Sequence, residues 1–162
     1  MLAPADEREI TALLTRYATG IDTRDWPLFE ACFAEDARTD YGTFGQWTSA
    51  AQITDFMRRA HAEVGHTLHR LSNFTIATQG EGAAARCYVD ALLMPLPTGG
   101  QVHRGIGYYD DELVKTERGW RIKRRRFTAV QILELGTNGG RRSAQEMVPT
   151  RPPSTNTVLP VV

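Results

Sequence analysis

The 162-residue chain has only two cysteines and four histidines, carries no formal net charge, and contains no apolar run long enough to span a bilayer. Cys32 and Cys87 stand alone in apolar surroundings. They have neither the close pairing of a redox motif nor the spacing of a zinc site, and are read as small buried side chains. His66 and His69 are three apart, which on one strand turns them to opposite faces, and His61 and His103 lie elsewhere, so no metal or cofactor is expected. Nineteen basic residues balance nineteen acidic ones, so no overall field draws the chain to a nucleic acid. The N-terminal MLAPADERE lacks the basic start and apolar core of a secretory signal. A cytoplasmic protein without membrane association is expected.

What is present describes one ordinary domain, 41% apolar and 23% charged, large enough to bury a core without disulfides. Ile10, Leu13, Leu14 and Tyr17 have helical spacing over Asp6 to Thr19, with Gly20 as a stop. Asp22, Thr23 and Asp25 offer caps for a second helix from Trp26 to Ala34, and Ser49 to Glu63 forms a third. Between them Ala37 to Trp47 suits a strand and a return loop. From His66 the period changes to alternation, predicting strands at His66 to Thr78, Ala84 to Pro95, Val102 to Val114 and Trp120 to Gln131. Pro97 to Gly100 is one of the connecting turns. Helices followed by an antiparallel meander give an α+β fold over residues 1–136. Residues 137–162, rich in Gly, Pro, Ser and Thr, read as an extended tail.

The last strand, WRIKRRRF, organises this reading. Strict alternation puts Arg124 and Arg126 on the face of Trp120 and Ile122, with Lys123 and Arg125 opposite. Three distant segments carry polar groups within apolar runs: Tyr17 and Asp22, then His69, then Asp90. Their convergence on this strand in a pocket is the functional expectation. Phe33, Tyr41, Trp47, Phe56 and Leu92 are candidate pocket walls.

RYATGIDTRDWPLFEACFAEDA, YGTFGQW, HRLSN and GWRIKRRRF, in this order, resemble the SnoaL-like branch of the nuclear-transport-factor-2-like (NTF2-like) superfamily over about Asp6 to Leu135. The resemblance implies a cone-shaped, cystatin-like α+β fold: a curved antiparallel sheet wrapped around the N-terminal helices, with one deep, mostly apolar pocket. Within that superfamily the sequence resembles the small lyases, namely scytalone dehydratase, bile-acid 7α-dehydratase and hexachlorocyclohexane dehydrochlorinase. By that likeness His69 matches a catalytic histidine and Asp22 its carboxylate partner. Tyr17 matches a dehydratase tyrosine, Asp90 a further carboxylate, and Arg126, or Arg124 in another register, an arginine of the last strand.

The chemistry implied is cofactor-independent elimination from a small, largely apolar aromatic or alicyclic molecule. His69 would be the base, Asp22 its orienting partner, and Tyr17 and Arg126 the polarising groups. Other readings of the same residues stand beside it. Asp22 fits a helix cap, Tyr17 fits core packing, and Asp90 needs His69, an arginine or solvent as its partner. An isomerase or polyketide-type cyclase would use the same base, and a non-catalytic binding protein would use the same pocket. Val89 and Leu93, taken as lying on the outer sheet face, suggest a homo-oligomer, and the resemblance implies a trimer or a dimer.

Overall fold

The apolar stripe of the first helix is long enough to specify more than one stop signal can interrupt. In the computed structural model, which describes residues 2–96 and 101–135, α1 runs from Pro4 to Thr23 and passes straight through Gly20. Ile10, Leu13, Leu14, Tyr17 and Ile21 form its fully buried face, each contributing roughly 1.5–3 kcal/mol by burial. Gly20 serves close packing instead of termination. A β-carbon there would lie 2.9 Å from the Phe29 backbone nitrogen, so glycine lets the next helix approach. That helix, α2, is short, Trp26–Glu30, and its cap is Asp25, whose carboxylate accepts from Leu28 N at 3.0 Å. Asp22 and Thr23 belong to α1 and are free of the capping role.

Phe33 begins a strand where the second helix was expected to continue. β1 spans Phe33–Asp40, a one-turn 3₁₀ segment covers Gly42–Phe44, and β2 is Gln46–Trp47. Then α3 covers Ala50–Ala60, with Ser49 accepting from Gln52 N as its cap. Four long strands complete the chain: β3 Val64–Gln79, β4 Gly82–Pro95, β5 Val102–Thr116 and β6 Gly119–Leu135. The turn expected at Pro97 to Gly100 and the tail expected at residues 137–162 lie outside the described residues. No described helix is long and apolar enough to cross a membrane.

The expected curved, purely antiparallel sheet around one deep pocket is not what forms. One six-stranded sheet has the order β2-β1-β6-β5-β4-β3 and is open, with β2 and β3 as separate edges. It is also mixed, because β1 runs parallel to β6. β2, α3 and three long strands lie between β1 and β6 in the chain, so β1 pairs with β6 from across the fold and not through a hairpin. The described residues include separate recesses of about 1170, 540 and 170 Å³.

A bulge corrects the reading of the last strand. Leu113 pairs with Ile122 and Glu112 with Arg124, so Lys123 is the extra residue on β6. The inserted residue reverses the alternation beyond it. Trp120, Ile122 and Arg125 therefore point into the core, whereas Arg124 and Arg126 are exposed. Val89 and Leu93 also face inward: Val89 is buried and Leu93 packs against the core cluster. The apolar side chains exposed on the outer face of β3 and β4 are instead Leu68 and Tyr88.

Candidate functional site

Asp22 sits in the last turn of α1, where a carboxylate meets the negative end of the helix dipole and gains nothing from it. Groups on β3 provide its stabilisation. Asp22 Oδ1 accepts from the His69 ring at Nδ1, 2.7 Å away, and from Thr67 Oγ1 at 3.0 Å. Its Oδ2 accepts from the His69 backbone N–H at 2.8 Å. Partial burial pushes the carboxyl pKa up, but the His69 ring, its backbone N–H and the Thr67 hydroxyl outweigh this and hold it below the usual value. Asp22 is therefore ionised at neutral pH.

An ionised Asp22 assigns the proton of a neutral His69 to Nδ1, leaving Nε2 as the unprotonated nitrogen. The hydrogen bonds of His69 to other side chains among the described residues are made by its backbone N–H and Nδ1, and none by Nε2. The two side chains are mostly covered, 8% and 20% exposed for His69 and Asp22. They line a recess of about 170 Å³ with Thr15, Ala18 and Thr19 of α1 and Leu71 and Phe74 of β3. That volume is close to the roughly 150 Å³ that admits a single benzene ring. Across the sheet, the row of His69 continues through Ala91 and Gly105, both small.

Tyr17 belongs to a different cluster. Five residues before Asp22 on the same helix, it points about 140° away around the axis. Its hydroxyl lies 2.9 Å from that of Tyr41 and donates to that of Tyr109 at 3.5 Å. Beside them Arg125 makes a two-pronged pair with Asp111, both bonds 2.7 Å, and neither side chain is exposed. The guanidinium carbon stands 4.0 Å from the centre of the Tyr17 ring and 4.2 Å from that of Tyr109. Burial pushes the Tyr17 and Tyr41 hydroxyls well above the usual phenol range. Burial works against the charge on Arg125, yet Asp111 holds the guanidinium protonated. Arg125 Nη1 and the adjacent Thr39 Oγ1 are buried without a partner among the described residues.

The remaining expected residues divide between these regions and the outer face. Phe33 packs edge-on against Tyr17, and Tyr41, Trp47 and Phe56 continue the aromatic layer, with Trp47 and Phe56 4.3 Å apart. Asp90 faces outward and is held by Arg104 through two 2.8 Å bonds, with Arg70 3.9 Å away. Leu92, two residues along β4, shares that face. Arg126 is also outward, 3.8 Å from Asp40. Asp22 and His69 are thus in contact, whereas Tyr17, Asp90 and Arg126 lie in three other places. Among the described residues no group of three His, Cys, Asp or Glu side chains is arranged to hold a metal.

Sequence reasoning missed Arg125, Asp111, Tyr109, Thr67 and Arg24. A signal existed for Asp111, which alternation places on one face with Tyr109 and Leu113, where a carboxylate needs a cation. The bulge that supplies that cation leaves no comparable mark in the sequence.

Comparison with known proteins agrees with this architecture. The chain is 29% identical over 125 residues to the uncharacterized protein Rv2910c of Mycobacterium tuberculosis, covering 75% of this chain and 83% of that protein. A Novosphingobium aromaticivorans protein provisionally named an aromatic ring hydroxylase superposes with a TM-score of 0.76 at 27% identity, over 83% of this chain and 96% of the other. A second protein of that organism, provisionally named a scytalone dehydratase, superposes with a TM-score of 0.74 at 21% identity, over 88% and 93%. The model of the SnoaL-like domain matches residues 4–126, and the chain therefore belongs to the SnoaL-like family of the NTF2-like superfamily.

Proposed function

We propose that this protein is a cofactor-independent lyase of the dehydratase type, acting on a small, largely apolar ring compound. The observation that carries the reading is the 2.7 Å contact between Asp22 Oδ1 and His69 Nδ1, which leaves Nε2 as an unprotonated nitrogen beside a ring-sized recess. In the reaction Nε2 takes a proton from the carbon next to an electron-withdrawing group. The C–H electron pair becomes the new C=C bond, and hydroxide or halide departs with the electrons of the bond it breaks. Asp22 fixes the ring and stabilises the imidazolium that forms. Departing hydroxide takes up that proton and leaves as water; a halide leaves as the anion and the imidazolium proton passes to solvent, so that in either case the resting state is restored. The fold shared with a protein provisionally named a scytalone dehydratase supports the direction of the reading.

The test is turnover of cyclic β-hydroxy and β-halo ketones, followed by product mass. Elimination removes the mass of water or hydrogen halide. His69→Ala is expected to lower the rate by about 10²–10⁴-fold with little change in melting temperature. Unimpaired turnover in that variant would remove His69 from the mechanism. A product of unchanged mass would identify an isomerase or cyclase built on the same base. No turnover, with only a modest change of ligand affinity in His69→Ala, would identify a binding protein.

A further inference from the structure

Arg24 breaks a local rule. It follows α1 with φ 59° and ψ 24°, the left-handed conformation usually given to glycine, and no glycine stands there. A β-carbon in that region is unfavourable, so its side chain must offset the cost elsewhere.

That side chain forms a fork with four acceptors. Nη1 donates to Ile21 O at 2.6 Å and to Thr67 Oγ1 at 2.8 Å. Nη2 donates to Gly65 O at 2.7 Å and to Val64 O at 3.3 Å. The strand pairing of β3 slips between Val64 and Thr67, and the fork reaches the carbonyls of that irregular stretch. It thereby ties the end of α1 to the start of β3, the two segments that carry Asp22 and His69.

Thr67 is the link with chemical content. Its hydroxyl has one proton, and a guanidinium can only donate. Because Arg24 Nη1 occupies an acceptor position of the oxygen, the hydroxyl proton is directed to its other neighbour, Asp22 Oδ1. The same carboxylate oxygen receives the His69 Nδ1 proton.

We infer that Arg24 is a positioning residue for the Asp22–His69 pair, acting through the Thr67 hydroxyl and the bulged start of β3. The inference deepens the lyase reading and rests on it for its catalytic meaning, but the geometry it describes can be measured without any substrate. The measurement is the tautomer of His69 at neutral pH, from the ring ¹⁵N shifts of the full-length protein. Arg24→Gly keeps the left-handed turn and removes only the fork. Thr67→Val keeps the side-chain shape and removes the hydroxyl, and Thr67→Ser restores it.

Wild type and Thr67→Ser are expected to show the Nδ1–H form. In Thr67→Val and Arg24→Gly the ratio of Nδ1–H to Nε2–H is expected to fall about tenfold, the loss of roughly one hydrogen bond's bias. A purely structural Arg24 would lower the melting temperature and leave the tautomer of both variants as in wild type, which would overturn the inference. Should Arg24→Gly fail to fold, Thr67→Val alone decides. The two readings fail separately. A tautomer shift in a protein that turns nothing over sinks the lyase and keeps the positioning role. Turnover with an unmoved tautomer does the reverse.

Discussion

The molecule holds two polar centres against α1, and they are built on opposite principles. Asp22 and His69 sit where the end of the helix meets the edge strand β3, partly open and fixed by hydrogen bonds to the carboxylate. Arg125 and Asp111 sit on the adjacent strands β6 and β5, unexposed and roofed by tyrosine rings. A group that exchanges protons with a substrate needs a defined geometry and some access. A buried ion pair needs completeness, because removing one partner strands the other. The difference teaches that heavy burial and strong perturbation can belong to a self-contained ion pair, and on the proposed reading the reactive centre is the more open of the two.

The largest effect should come from breaking the closed centre. Asp111→Ala leaves the Arg125 guanidinium without its counter-ion and is expected to cost about 3–5 kcal/mol in urea unfolding. Replacing both partners by Leu and Met should cost clearly less than Asp111→Ala alone, since no charge is then stranded. If the double variant is the less stable of the two, the pair is more than a self-satisfied element of the core.

The open centre should respond to pH with a definite sign. The folded carboxyl of Asp22 lies below its ordinary value, so its contribution is present above the unfolded pKa, about 3.9, and fades as pH falls through the folded value. Asp22→Asn is expected to lower stability by about 1–2 kcal/mol near neutrality, with the gap to wild type closing in acid. A gap independent of pH down to the acid limit would mean that the charge of Asp22 contributes nothing.

Legibility in the sequence follows the same division. The core face of α1 and the existence of the four long strands could be read directly, because one period runs through the helix and stretches of alternation mark each strand even where a bulge shifts its register. Gly20 was misleading because a glycine demanded by Phe29 across a helix contact looks the same as one demanded by a helix end. The parallel entry of β1 depends on a partner more than eighty residues away, as the pairing of Arg38 with Arg124 shows, and no local pattern encodes that. Asp22 and His69 are 47 residues apart, and only resemblance to a family joined them before their contact could be seen. Arg125 was hidden by one inserted residue, Lys123, which exchanges the inner and outer faces of KRRR.

The smallest expected effect tests whether the two centres are separate at all. Tyr41→Phe removes the hydroxyl 2.9 Å from that of Tyr17, while Tyr17 still donates to Tyr109 and the Arg125–Asp111 pair is untouched. The loss should be at most about 1 kcal/mol in stability, the net worth of one hydrogen bond. If the centres are independent, turnover and the His69 tautomer should both stay within about twofold of wild type, because no described contact joins Tyr41 to the pair. A tenfold loss of turnover with the tautomer unchanged would instead mean that a substrate spans both, its reacting carbon at His69 and its oxygen among the tyrosines. The cluster that looks like core would then be the far end of the same site, and Tyr17 would regain the polarising role that the family resemblance first suggested.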